Sequence, residues 1–375
     1  MSTRQFRLGI LGSDPLECIR EAICFGAPLS GQWEIVAGAF DIDPECRRVF
    51  ATQHGLDPAR MYGSVPDLIA GETGRDDRID AVAVCSADCA SFDTLARLMQ
   101  AGFHVVTRPD MGLSAEDASQ LSSLSDVSKQ VACVAYPLAA CAALHRMGEL
   151  VSRNEIGQVT TAMISNNAGT GRPLTDTAAE HIEQAPVGAL RDRIECATQR
   201  AFILSRLSTR FEVESLRAGV TSLGDGSHGH QCPYITVRYQ AGARGLMLPY
   251  KMSDEPFTGF RLQVLGETGT LTWLESNPGQ LVHEDVKSGD TQTITIADRT
   301  LGNAGKESRL QSNRPDNSPQ PLATTYHQLA ELIRDRKGTG HAGSAPRYGV
   351  TFMSHHADAL SFRHMVMASY SSQIE

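Results

Sequence analysis

The 375-residue chain, 41% hydrophobic and 21% charged, is longer than one typical domain and has the composition of a soluble globular protein, which predicts two domains. Its formal charge of −9 is spread along the chain without basic runs, which excludes nucleic acid and an anionic membrane as main partners and leaves a small molecule or another protein. Nine cysteines (18, 24, 46, 85, 89, 133, 141, 196, 232) form an odd, scattered set without a C-x-x-C pair, the pattern of reduced thiols. With no apolar leader and no run of about 18 apolar residues, the expected location is the cytoplasm.

Phe6–Leu11 reads as a short buried strand, followed by a tight turn and an amphipathic helix to about Phe25. A dinucleotide-binding fold places the pyrophosphate at such a turn, where a G-x-G-x-x-G run lets phosphates approach the backbone N–H groups. Here the run is Gly12-Ser13-Asp14-Pro15-Leu16-Glu17, with two carboxylates where an anion would sit. Trp33–Ala39 is the second strand. Asp41-Ile42-Asp43-Pro44 then leads into a helix carrying Cys46, Val49 and Phe50, with Pro44 in its first turn. Ile79–Cys85, His104–Thr107 and Val131–Ala135 read as further strands, alternating with helices over Phe92–Ala101, Ala115–Ser128 and Ala139–Asn154. Such alternation implies a parallel, doubly wound sheet.

After Gly157 the pattern changes. Gln158–Ser165 is a strand, Asn166–Val187 a loop and Arg193–Leu207 a helix. Strands then follow at Phe211–Thr221, Tyr234–Tyr239, Arg244–Pro249, Phe260–Leu265, Thr270–Trp273, Leu281–Glu284 and Thr291–Ile296, joined too closely for crossovers. Residues 301–320 read as a mobile loop, and Leu322–Arg336 and Ser354–Ser371 as closing helices. The expected organisation is an α/β domain over 1–138 and an α+β domain over 139–375 with a large, mainly antiparallel open sheet.

With this order of elements, Ile79-Asp80-Ala81-Val82-Ala83-Val84, Ala101-Gly102-Phe103-His104-Val105-Val106, Asn154-Glu155-Ile156-Gly157-Gln158-Val159 and Gly266-Glu267-Thr268-Gly269-Thr270-Leu271 resemble the Gfo/Idh/MocA family of oxidoreductases over almost the whole chain. The resemblance implies a Rossmann-like domain beside an open-faced sheet domain, a nicotinamide cofactor, a sugar or cyclitol substrate, and dimers or tetramers through the sheet face. Four signatures that usually carry the family's chemistry read differently here. The first is the glycine turn at Gly12–Glu17. The second, a T-P-N-x-x-H-like loop beside the nicotinamide, becomes Ser86-Ala87-Asp88-Cys89-Ala90-Ser91, which keeps a hydroxyl at Ser86 and is otherwise an ordinary connection with Asp88 or Ser91 as helix cap. In the third, an E-K-P segment, Arg108-Pro109-Asp110 puts an arginine beside the lysine position. Arginine stays protonated, so Arg108 suits binding an anionic or polyhydroxy group better than relaying a proton. In the fourth, a D-x-G-x-H motif, Asp192-Arg193-Ile194-Glu195-Cys196 keeps the aspartate and replaces the histidine by cysteine. Asp192 and Cys196 would share one helical face, although Cys196 also reads as a small apolar packing residue.

One acidic residue fits a cofactor directly: Asp41, at the end of the second strand, stands where a carboxylate would take the adenosine ribose. The alternative is an Asp-x-Asp-Pro turn in which Asp43 caps the next helix. The candidate cofactor contacts are therefore Gly12, Ser13, Asp41 and Ser86, for NAD, and the candidate catalytic residues Asp192, Cys196 and Arg108. His228, His230 and Cys232 lack a fourth ligand for a closed zinc site, so no metal is expected. His181, Glu183 and Tyr136 are further polar residues for the cleft. Taken together, the four signatures lead to a family member with a degenerate cofactor site: a non-catalytic or regulatory subunit paired with an active homologue, or a sugar-binding protein, homo- or hetero-oligomeric through the second-domain sheet. The alternatives are a divergent NAD(P)-dependent sugar or cyclitol oxidoreductase, and elimination or isomerisation in the same cleft.

Overall fold

A computed structural model describes residues 4–13, 23–109, 111–167, 199, 202–205, 208–223, 230–248, 259–296, 319–339 and 350–374. They form two compact units. The first holds the described residues up to Ala140 and from 319 to Asp358, and the second those from Cys141 to 296 and from Ala359 onward.

In the first unit, strands β1 (Phe6–Gly12), β2 (Trp33–Phe40), β3 (Met61–Tyr62), β4 (Ala81–Val84), β5 (His104–Thr107) and β6 (Ala132–Ala135) are parallel, and β15 (Val350–Phe352) runs antiparallel to β6. The seven-stranded order is β15-β6-β5-β4-β1-β2-β3. The chain winds outward from β1 to β3, then crosses back to β4 on the other side of β1, the doubly wound arrangement the alternating pattern predicts. Strands β4, β5 and β6 are buried at every residue, which is why β4 and β6 read as unbroken apolar runs and β5 as Val105-Val106 between a buried histidine and a buried threonine.

The helices of this unit are α1 (Ile23–Leu29), α2 (Pro44–Gln53), α3 (Val65–Thr73), α4 (Phe92–Gln100) and α5 (Ala115–Ser128). Short polar side chains set the starts of α3, α4 and α5. Ser64 Oγ takes the Asp67 N–H at 3.2 Å, Ser91 Oγ the Thr94 N–H at 3.2 Å, and Ser114 forms a reciprocal capping box with Asp117. Helix α3 and strands β3 and β15 are additions to the elements expected from the sequence.

Helix α7 (Pro319–Thr339) also belongs to this unit, so the chain returns to it after the second sheet, whereas the sequence reading places everything after 138 in one later domain. The return is driven by packing. Leu322, Tyr326, Leu329, Leu332 and Ile333 join the core formed by Phe6, Leu8, Ile10 and Trp33, and Trp33 Nε1–H donates to the Tyr326 carbonyl at 2.8 Å. Residues 319 and 320, expected in the loop, already form the first turn of α7, and the rest of that loop lies outside the described residues.

The second unit is organised by an eight-stranded sheet, β14-β13-β12-β11-β7-β10-β9-β8. Its strands are β7 (Val159–Asn167), β8 (Val213–Leu223), β9 (His230–Tyr239), β10 (Arg244–Leu248), β11 (Gly259–Gly266), β12 (Gly269–Leu274), β13 (Gln280–Asp285) and β14 (Thr291–Thr295). Every neighbouring pair is antiparallel except β7 with β10. Alternating burial along β12 marks one packed and one open face.

The helix expected over Ala139–Asn154 is shorter: a 3-10 turn at Pro137–Ala140 precedes α6 (Ala142–Ser152), and Asn154 turns left-handed at φ 60°. The motif stretches Asn154–Val159 and Gly266–Leu271 interlock. Thr268 N–H donates to the Ile156 carbonyl at 3.0 Å and Glu267 N–H to the Gln158 carbonyl at 3.1 Å. A Cβ on Gly266 would lie 2.0 Å from the Ile156 oxygen, so only glycine permits this approach.

Candidate functional site

In a doubly wound sheet, ligands bind beyond the carboxyl ends of the strands where the winding direction reverses. Here that point lies between β1 and β4. Past the strand ends the chains stay joined: Cys85 N–H donates to the Leu11 carbonyl at 2.8 Å and Ser13 N–H to Ser86 Oγ at 3.0 Å. Ser86 is 4% exposed. Two candidates named separately from the sequence, Ser13 and Ser86, are thus each other's partners, directly beyond Gly12. The following Asp14–Glu17 lie outside the described residues. Beyond Ser86, Ala87–Cys89 make a 3-10 turn, and Ser91, not Asp88, caps α4.

The Asp-x-Asp-Pro turn forms with Asp43 as its cap, as the alternative reading expects. Asp43 caps α2: its Oδ1 accepts the N–H groups of Glu45 at 2.8 Å and Cys46 at 3.3 Å. Asp41 is left exposed directly beyond β2, and among the described residues its carboxylate has no partner. An acidic side chain so placed can accept two hydroxyl hydrogens from a ribose diol.

At the end of β5, Thr107 is 1% exposed and its hydroxyl has no hydrogen-bond partner among the described residues. Sequence reasoning missed it; the available signal was a polar residue closing the strand after Val105 and Val106, at the carboxyl end of the sheet. Arg108 follows, half-buried. His104 at the other end of the strand is structural, its Nδ1 accepting the Val131 N–H at 2.8 Å. Beyond β6, buried Tyr136 and His356 share a hydrogen bond of 2.8 Å between the phenol and Nδ1. Asp192, Cys196, His181, Glu183 and His228 lie outside the described residues, and His230 begins β9. The described residues contain no group of three or more His, Cys, Asp and Glu able to hold a metal, and no helix long and apolar enough to cross a membrane.

The acceptor at the β2 end, a carboxylate without a partner among the described residues, fits the ribose of a dinucleotide, whose diol donates to it. The orphaned Thr107 hydroxyl adds unmet polar demand at the same sheet edge.

No family model matches the chain. It is 20% identical over 268 residues, 70% of this chain and 68% of the relative, to the uncharacterized oxidoreductase YfiI of Bacillus subtilis. Among solved structures it is similar to an inositol dehydrogenase homolog from Azotobacter vinelandii complexed with NADH and myo-inositol (TM-score 0.76, 21% identity, 98% of this chain and 96% of that one). It is also similar to UDP-N-acetylglucosamine 3-dehydrogenase from Acidithiobacillus ferrooxidans (TM-score 0.65, 13% identity, 100% of both chains). The chain has the fold of these Gfo/Idh/MocA-type dehydrogenases, a mostly parallel Rossmann-like sheet followed by a mostly antiparallel eight-stranded one.

Proposed function

We propose that the chain is an oxidoreductase that binds a nicotinamide dinucleotide through its first unit and acts on a sugar or cyclitol hydroxyl. The observation that carries this reading is Asp41, exposed and unpartnered among the described residues at the end of β2, where the fold meets a ribose. The nicotinamide, when bound, supplies the hydride acceptor. Asp41 takes the ribose hydroxyls, and the Ser13–Ser86 bond keeps the ends of β1 and β4 at fixed spacing. Arg108 holds a polyhydroxy or anionic group through its guanidinium donors. The similarity to an inositol dehydrogenase homolog complexed with NADH and myo-inositol supports the cofactor and substrate class.

Arginine beside the lysine position favours a second reading, a partner subunit or sugar-binding protein that holds ligand without turnover, assembled through the open face of the second sheet. Titration with NADH, then 340 nm assays against a panel of cyclitols and sugars, separates the two. Micromolar binding with turnover supports the oxidoreductase, binding without turnover the second reading, and absence of binding overturns the dinucleotide site.

A further inference from the structure

We propose that Arg47 is the positioning residue that presents Asp41 to the ribose and thereby makes the chain select NAD over NADP, an inference that rests on the dinucleotide-binding reading above. Asp41 is the middle residue of a three-residue turn closed by Ile42 N–H donating to the Phe40 carbonyl at 2.9 Å. One such bond holds a turn weakly. Arg47, in α2, supplies the rest: its Nη1 donates to the Phe40 carbonyl at 3.1 Å and to the Ile42 carbonyl at 2.6 Å. These two carbonyls flank Asp41, so one cationic nitrogen clamps the backbone on both sides of it.

The loop after β3 leaves room for this guanidinium. A Cβ on Gly63 would lie 3.1 Å from Arg47 Nη1 and 3.3 Å from Nη2. The other charges of the segment are engaged. Asp43 caps α2, and Arg48 Nε donates to Glu45 Oε2 at 2.9 Å. The arginine that could otherwise meet a 2′-phosphate is therefore turned to the backbone, while the carboxylate is held outward. A dianionic 2′-phosphate would face Asp41 directly and be repelled, whereas a free 2′-hydroxyl can donate to it.

The test is direct titration of the full chain with NADH and with NADPH, read by nicotinamide fluorescence. Wild type should favour NADH. Arg47→Met should weaken NADH about tenfold, the worth of roughly one charge-assisted hydrogen bond, and leave NADPH within about twofold, so that the preference falls. In an Asp41→Ala background, Arg47→Met should change the preference no further. Should Arg47→Met not fold, Gly63→Ala, whose methyl group crowds the guanidinium, should lower the preference in its place. If Arg47 only stabilises the fold, its variants will lower the melting temperature and weaken both dinucleotides alike. That result, or a wild-type preference for NADPH, overturns the proposal. NADH binding by wild type with an unchanged preference in the variants defeats the role of Arg47 alone, whereas binding of neither dinucleotide by wild type defeats the functional reading as well.

Discussion

Replacing Glu72 by Gln should cost the first unit about 3 kcal/mol. Glu72 is 0% exposed and Arg60 5%. The carboxylate accepts from Arg60 Nε at 2.9 Å, Arg60 Nη2 at 2.5 Å, the Tyr62 hydroxyl at 2.9 Å and the Ile79 N–H at 3.0 Å, tying β3, α3 and the start of β4 together. Glutamine keeps the shape but turns an NH₂ toward one of these donors and leaves the guanidinium without its counter-charge. Breaking a buried pair from one side costs about 3–5 kcal/mol. The lower end applies because Arg60 keeps the Asp77 carbonyl at 3.2 Å and the Asp77 carboxylate at 3.4 Å. The chain's two tryptophans fall one in each unit, Trp33 in the first and Trp273 in the second. In a Trp273→Phe background, Trp33 fluorescence during urea unfolding therefore reports the first unit, and the midpoint shift multiplied by the slope gives the loss. A loss below about 1 kcal/mol would mean that water and Asp77 replace Glu72 freely, refuting the buried-pair assignment. The double variant Arg60→Met/Glu72→Leu should recover only part of the loss, because it strands no charge but leaves the Tyr62 hydroxyl and the Ile79 N–H without their acceptor.

Burial, followed by the hydrogen bond to Glu72 and its charge, pushes the Tyr62 phenol up to about 12 from its usual 10.0. Because the folded value is the higher one, the stability from this phenol is fully present below pH 10 and is lost as pH rises through about 12; phenolate absorbance at 295 nm should titrate late in wild type and earlier in Glu72→Gln. Asp43→Ala removes the cap of α2 and should cost about 1 kcal/mol in the Trp33 urea assay. Gly266→Ala should destabilise the second unit by about 1–3 kcal/mol, read by Trp273 in a Trp33→Phe background, because its methyl would meet the Ile156 carbonyl.

The elements easiest to read from the sequence are those whose burial is complete or strictly alternating. Strands β4 and β6 are buried on both faces, so their residues are apolar without interruption, and β11 and β12 alternate because one face stays open. Helix α3 escaped notice because it has only nine residues, with Pro66 and Gly71 among them, and its buried positions are one leucine and one glutamate, Leu68 and Glu72. Strand β15 has three residues, too short for any period, and exists through pairing with β6, more than two hundred positions away in sequence. The return of α7 is likewise a tertiary event: its apolar stripe is visible, but the surface it covers, around Trp33 and Phe6, is not written next to it.

The candidate site divides along the same line. Residue types and strand ends were readable, so Asp41, Ser13, Ser86 and Arg108 could be named from the sequence. What each side chain is occupied with was not. The sequence marks Asp43, just before Pro44, as a cap for the next helix, and the structure adds that Asp41 is left exposed beside it. Ser86 looked like a surviving ligand contact, yet its hydroxyl accepts the first amide beyond Gly12, an amide that an anion-binding turn would otherwise direct at phosphate. With that amide engaged, a pyrophosphate gains less from the described part of this turn than from a glycine-rich one. On the dinucleotide-binding reading proposed above, the Asp41 carboxylate, in a turn whose flanking carbonyls Arg47 holds, is then the better-defined recognition point, and it acts at the 2′ position of the ribose.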